Sequence, residues 1–170
     1  MRFLRLATLP LLLASGLLLS AEAAEAQYFR FGAHVPLATS LGGGDDLTGS
    51  SWGLGGRVGL EVPLFPLAAW GTFDYMFPSG DGTSYQNYGI DVNLRLPIPL
   101  LQPYAAGGYQ ARRFDDGEVS DVYHGWTVGA GIRFSFIVNA FLEAKREFYG
   151  DEQELVGDDD QWMVRLGLIF

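Results

Sequence analysis

The chain has 170 residues, with 23 glycines, no cysteine, and 20 acidic against 11 basic side chains for a formal net charge of −9. That length suits one domain. The missing cysteine removes disulfides, thiolate metal sites, cysteine nucleophiles and a lipidated cysteine anchor. The acidic balance argues against nucleic acid as a partner.

At the N-terminus, Arg2 and Arg5 precede an apolar run from Leu9 to Leu19 and then the small-residue stretch Ala24-Glu25-Ala26. That order is the pattern of a secretory signal peptide, so residues 1–26 are expected to be removed before Gln27. The apolar run is short for a spanning helix, which needs about 20 residues. Residues 27–170 then form the domain, with 9 basic and 18 acidic side chains and no unbroken apolar stretch long enough for a helical span.

The mature chain alternates with a period of two, which is the strand period. Gln27 to Leu37 sets Phe29, Phe31, Ala33, Val35 and Leu37 against Arg30, Gly32 and His34, and a polar loop follows to Ser51. Trp52 to Val62 sets Trp52, Leu54, Val58, Leu60 and Val62 against Gly53, Gly55, Arg57, Gly59 and Glu61, before a short turn at Pro63–Pro66. Leu67 to Phe77 sets Phe73, Tyr75 and Phe77 against Thr72 and Asp74, while the phase of Ala68, Ala69 and Trp70 is ambiguous. Tyr85 to Leu96 places Tyr88, Ile90, Val92 and Leu94 opposite Asn87, Asp91, Asn93 and Arg95.

After a turn with Pro97 and Pro99, Pro103 to Arg112 sets Ala105, Gly107, Tyr109 and Ala111 against Tyr104, Gly108, Gln110 and Arg112. Arg113 to His124 reads as an acidic loop. Gly125 to Phe136 alternates most cleanly, with Trp126, Val128, Ala130, Ile132, Phe134 and Phe136 opposite Thr127, Gly129, Gly131, Arg133 and Ser135. Ala140 to Tyr149 is imperfect, because Arg146 falls on its apolar face and Phe141 on its polar one. An acidic loop leads to the last segment, QWMVRLGLIF, in which Trp162, Val164, Leu166, Leu168 and Phe170 are apolar at every second position.

Eight such segments have roughly the length that a tilted transmembrane strand needs. The connections alternate between long polar loops and short turns, and the prolines of the mature chain fall at segment ends or in turns. A soluble barrel would turn its apolar face inward. Here the charged face is rich in glycine, as a crowded lumen requires. The apolar face carries Trp52, Tyr75, Phe77, Tyr88, Trp126, Phe148 and Trp162 near the long loops and Phe29, Phe134, Phe136 and Phe170 near the short turns. Two aromatic girdles around an aliphatic band fit a bilayer. The pattern predicts an all-β, eight-stranded antiparallel up-and-down transmembrane β-barrel with its apolar face outside.

The terminal alternation ending on Phe170, together with PYAAGGYQ, WTVGAGIRFSF and NAFLEAK, resembles the small outer-membrane β-barrel family of Gram-negative bacteria that includes OmpX and the transmembrane domain of OmpA. The resemblance covers Gln27 to Phe170. It implies a place in the cell outer membrane, contact with outer-membrane lipid, and both termini on the periplasmic side. It also implies that Trp162, Val164, Leu166, Leu168 and Phe170 form the signal read by the barrel-assembly machinery. The family includes adhesion-related, stress-related, structural and narrow-channel members, so the resemblance fixes architecture more sharply than activity.

The inward set is Arg30, Arg57, Arg95, Arg112, Arg133, Lys145 and Arg165 against Glu61, Asp74, Asp91, Glu143 and Glu147. A lumen charge network of mutually paired side chains is expected to fill a barrel of this size and leave it largely closed. The alternative is a narrow porin-like channel for small solutes or ions, whose slight positive excess would favour anions. The remaining acids cluster in the loops, chiefly Asp115, Asp116, Glu118, Asp121, Asp151, Glu152, Glu154, Asp158, Asp159 and Asp160. They suit solvated surface loops that contact an extracellular ligand or divalent cations, although EF-hand spacing is absent. A lipid A-modifying enzyme is the remote alternative. Only His34 and His124 could serve as its base, and no catalytic triad, cofactor site or metal site can be assembled around either. The expectation is a non-enzymatic barrel with a structural or surface-interaction role.

Overall fold

A computed structural model of the chain describes residues 28–40, 51–62, 65–77, 84–115, 120–135, 139–149 and 161–170. The expected signal peptide lies outside the described residues. The described part holds the strands β1 (Tyr28–Ser40), β2 (Ser51–Glu61), β3 (Leu67–Phe77), β4 (Tyr85–Arg95), β5 (Leu101–Asp115), β6 (Ser120–Ser135), β7 (Asn139–Tyr149) and β8 (Gln161–Ile169). Each strand is antiparallel to the next, and β8 returns to β1 to close the barrel. Backbone bonds from Phe31 N to Phe170 O at 3.2 Å and from Phe170 N to Phe31 O at 2.6 Å extend that seam past the end of β8.

The register fixes the width of the barrel. Stepping between paired residues from Arg30 passes through Gly59, Trp70, Asp91, Gly108, Thr127, Glu147 and Gln161, and returns to β1 at Ser40. The walk closes ten residues beyond its start, so the shear is 10. With eight strands, that shear gives a tilt of about 40° and a backbone radius of about 8 Å. Side chains from opposite walls meet across such a space.

Burial is inside-out relative to a water-soluble domain. Phe29, Leu54, Ile90, Trp126 and Leu166 are exposed, whereas Arg57, Asp74, Glu143, Lys145 and Arg165 are buried. A continuous exposed apolar belt of this kind is what a hydrocarbon environment covers. The lumen is crowded enough to require glycine at particular points. A Cβ on Gly131 would strike the Tyr104 ring, and one on Gly129 would strike the Ala144 carbonyl.

Two details differ from the sequence-based expectation, and one ambiguity is resolved. The stretch from Arg113 to His124 is mostly paired strand, since β5 and β6 continue to the pair Asp115–Ser120. Its charges hide the alternation, but Phe114 keeps the inward phase, its ring tilted 5.3 Å from that of Tyr85 and edge-on 5.6 Å from that of Tyr123. Pro36 lies within β1 and not at its end. The ladder to β2 lapses at Val35 and Pro36, while the ladder to β8 runs through both, so the missing N–H is accommodated on one side. Trp70, whose phase is ambiguous in the sequence, points inward, and Phe141 lies on the inward face where its parity puts it; both are buried.

Candidate functional site in the barrel lumen

Glu143 sits at the centre of the lumen. Arg57 Nη2 donates to its Oε1 and Oε2 at 3.2 and 3.1 Å, and the Tyr104 hydroxyl donates to Oε2 at 3.0 Å. Arg165 Nη1 and Lys145 Nζ lie 3.4 and 3.3 Å from Oε1. Two further acids share these cations. Arg165 donates to Asp74 Oδ2 through Nε and Nη2 at 3.1 and 2.7 Å, and Lys145 donates to Asp91 Oδ2 at 2.5 Å. His34 Nε2 lies 2.5 Å from Asp74 Oδ1, and Thr127 donates to Asp91 Oδ1 at 3.3 Å. Buried charge is costly unless each group is paired and hydrogen-bonded, and this interlocking supplies both conditions.

A second group lies toward the long loops. Glu147 Oε2 accepts from Arg112 Nη2 at 2.6 Å, Gln161 Nε2 at 2.6 Å and the Tyr149 hydroxyl at 3.1 Å. Arg112 also donates to Asn87 Oδ1 at 3.2 Å and stacks over the rings of Tyr85 and Tyr149. A third group lies at the short-turn end. Glu61 receives Arg133 Nη1 at 2.6 Å, Arg95 Nη1 at 3.2 Å and Arg30 Nε at 3.7 Å.

Apolar layers alternate with the charged ones. Ala38, Met76, Tyr85 and Met163 cluster toward the long loops, with Phe114 against them. Ala68, Trp70, Phe141 and Ile169 cluster near the short turns. The Arg57 guanidinium lies over this second cluster, 4.3 Å from the Phe141 ring centroid and 4.9 Å from that of Trp70.

All twelve inward charges named from the sequence therefore face the lumen, and each lies in one of these three groups. Of the loop acids, Asp115 and Asp121 are residues of β5 and β6. Asp116, Glu118, Asp151, Glu152, Glu154, Asp158, Asp159 and Asp160 lie outside the described residues. Trp162, Leu166, Leu168 and Phe170 are exposed on the outer face, in phase with Val164. The two histidines are in separate environments. His34 is enclosed in the lumen, whereas His124 is on the outside, stacked 5.8 Å from Tyr109. No group of three metal-ligating side chains occurs among the described residues.

Residues 11–170 match the family model for the outer membrane protein beta-barrel domain. The chain belongs to that family. Its fold is shared with three solved outer-membrane barrels. Neisserial surface protein A is 15% identical with a TM-score of 0.61, over 84% of this chain and 97% of that one. The N-terminal barrel domain of Pseudomonas aeruginosa OprF is 13% identical with a TM-score of 0.57, over 83% and 97%. Ail, the attachment invasion locus protein of Yersinia pestis, is 15% identical with a TM-score of 0.51, over 85% and 99%. No curated protein sequence matches it significantly.

In this outer-membrane barrel, the apolar residues inside are where sequence reasoning was weakest: the phase of Trp70 was ambiguous, and Phe141 stood on the polar face as an imperfection. Trp70 shares the even-numbered phase of Thr72 and Asp74, and Phe141 shares the odd-numbered phase of Glu143 and Lys145. The signal was present as parity. It was obscured because an aromatic residue on a polar face resembles an error in the pattern.

Proposed function

We propose that this outer-membrane barrel is a closed, non-enzymatic structural or surface-interaction protein, with its termini and short turns in the periplasm. The observation that carries the reading is the layering of the lumen. The Glu143 ion-pair group lies between an apolar layer at Trp70 and Phe141 and another at Met76 and Met163. A hydrated ion would have to separate buried pairs and cross both apolar layers, which opposes conduction. Enzymatic chemistry finds no support in the histidines, because the inner one is bonded to Asp74 and the outer one stacks on a ring.

The purified protein should show no steady conductance in planar bilayers. Large ohmic steps would replace this reading with the narrow porin-like channel. Interaction is assigned to the acidic segments 113–124 and 149–161, acting through an extracellular ligand or bridging divalent cations. Neutralising their acids should lower cell-surface binding or cation affinity. Unchanged values of both, combined with reduced solute uptake when the whole protein is deleted, would count for the channel.

The outer row Trp162, Val164, Leu166, Leu168 and Phe170 is proposed as the signal for the assembly machinery. Its exposure along the strand that closes the barrel supports that role. Deleting Phe170 should sharply reduce the heat-modifiable folded form recovered from outer membranes. Undiminished recovery would remove the role.

A further inference from the structure

The outer wall of the barrel carries a depression that internal packing does not account for. Across the ladders from β2 to β5, two neighbouring outward rows are Gly56, Phe73, Tyr88 and Ala111, and Val58, Gly71, Ile90 and Tyr109. Together they line a groove of about 440 Å³. Its walls are the exposed side chains of Val58, Phe73, Tyr88, Ile90 and Tyr109, and Gly56 and Gly71 leave its floor bare.

Inward glycines are required by their neighbours. A Cβ on Gly59 would strike the Trp70 ring, and one on Gly108 would strike the Ile90 carbonyl. The two floor glycines are not required in that way. A Cβ on Gly56 would come no closer than 3.7 Å to the Gly32 carbonyl, and one on Gly71 no closer than 3.7 Å to Val58 Cγ1. Side chains at these positions would fit without any internal shift. Glycine inside a strand weakens it, and one use of that loss is to let a ligand approach the backbone closely.

The groove also has a direction. Gly71 is at the middle of β3, while Tyr88 and Ala111 lie toward the long loops. At that end the wall turns polar. The Tyr88 hydroxyl donates to Gln86 Oε1, and Tyr75 pairs with Gln86 in the next row. An apolar trough that ends among tyrosines at the edge of the belt matches a lipid tail hanging below its headgroup.

We propose that this groove is a binding site for one acyl chain of a membrane lipid in the leaflet on the long-loop side. It is continuous with the apolar belt that hydrocarbon covers, so its occupant comes from the membrane. A flexible chain can descend between the rings to Gly56 and Gly71. The convex wall of a second barrel would rest on Phe73, Tyr88 and Ile90 without entering. Within a bilayer, close packing and not escape from water distinguishes one apolar contact from another, and bare backbone permits the closest packing. The inference concerns the outer wall and holds whether or not the lumen conducts.

The test uses the protein purified from membranes and placed in nanodiscs of two lipids with palmitoyl chains, phosphatidylglycerol and a neutral galactolipid. After transfer to mild detergent, native mass spectrometry counts the lipid retained on each barrel, and heat-modifiable migration checks that each variant is folded. The wild type should retain one molecule of either lipid. Gly71→Leu fills the groove from its floor and should cut retention about tenfold, the effect of displacing roughly ten carbon–carbon contacts. Ile90→Ala lowers a wall and should act in the same direction, and it carries the test if the larger side chain prevents folding. Ala144→Leu, on the outer face of β7 and away from the groove, should leave retention unchanged.

Retention of phosphatidylglycerol alone would mean that a headgroup holds the lipid, and would overturn the chain site. A barrel dimer that Gly71→Leu dissociates would overturn it in favour of a second copy. Absence of retained lipid on the wild type, or equal retention by the wild type and the folded groove variants, would overturn it outright.

Discussion

Glu143 and Glu61 have the same immediate partners in number, one carboxylate facing three cations, yet they illustrate opposite solutions. The cations of Glu143 also serve Asp74 and Asp91, and none of the groups involved reaches solvent. The cations of Glu61 converge on it near the short turns, and Arg30 is about one-third exposed. The contrast follows from depth. In a water-poor interior an uncompensated charge is expensive, so neutrality must be reached locally. At a mouth, solvent and mobile ions can compensate the difference, so a surplus is tolerated.

The largest expected effect comes from breaking the deep side. Glu143→Ala leaves Arg57, Arg165 and Lys145 short of an anion and should destabilise the barrel by roughly 3–5 kcal/mol, measured by reversible urea unfolding in lipid vesicles. A loss below about 1 kcal/mol would mean that water reaches the centre.

Next comes the boundary between the two regions. Phe141→Ala should cost about 3 kcal/mol through cavity formation, and it should admit water from the mouth toward Arg57. Faster hydrogen exchange of the β7 backbone would report that entry. Exchange unchanged from the wild type would show that the ring is not the barrier.

The smallest effect is expected at the mouth. Glu61→Ala should cost roughly 1 kcal/mol, because Arg30, Arg95 and Arg133 can be compensated by solvent ions. Added salt should reduce even that loss. A cost equal to that of Glu143→Ala would erase the distinction between the two sites.

The sequence revealed the two faces of this barrel far better than the partners within it. Alternation is local, so eight strands and twelve inward charges could be read from it directly. Partnership is set by closure. Arg57 and Glu143 are 86 residues apart, and Arg165 and Asp74 are 91 apart. Those contacts depend on the shear, which only the complete circuit of registers determines. The aromatic and methionine layers were hidden for a different reason. Parity put Phe141 on the polar face and left Trp70 ambiguous, but a face classified as polar by its majority gave no warning that Trp70, Phe141, Met76 and Met163 gather into layers there. Similarly, the charges of Arg113 and Asp115 suggested a loop where the phase of Phe114 continued the strand.

The seam between β1 and β8 also has a kinetic meaning. Phe31 and Phe170 exchange two backbone hydrogen bonds across nearly the full length of the barrel sequence. Joining points about 139 residues apart carries a loop-entropy cost of about 4 kcal/mol before any seam contact repays it. Until β8 arrives, β1 presents an unpaired strand edge, the kind of surface that other chains can join. Without β8, β1 would keep that edge open, so closing the seam also removes a site of association.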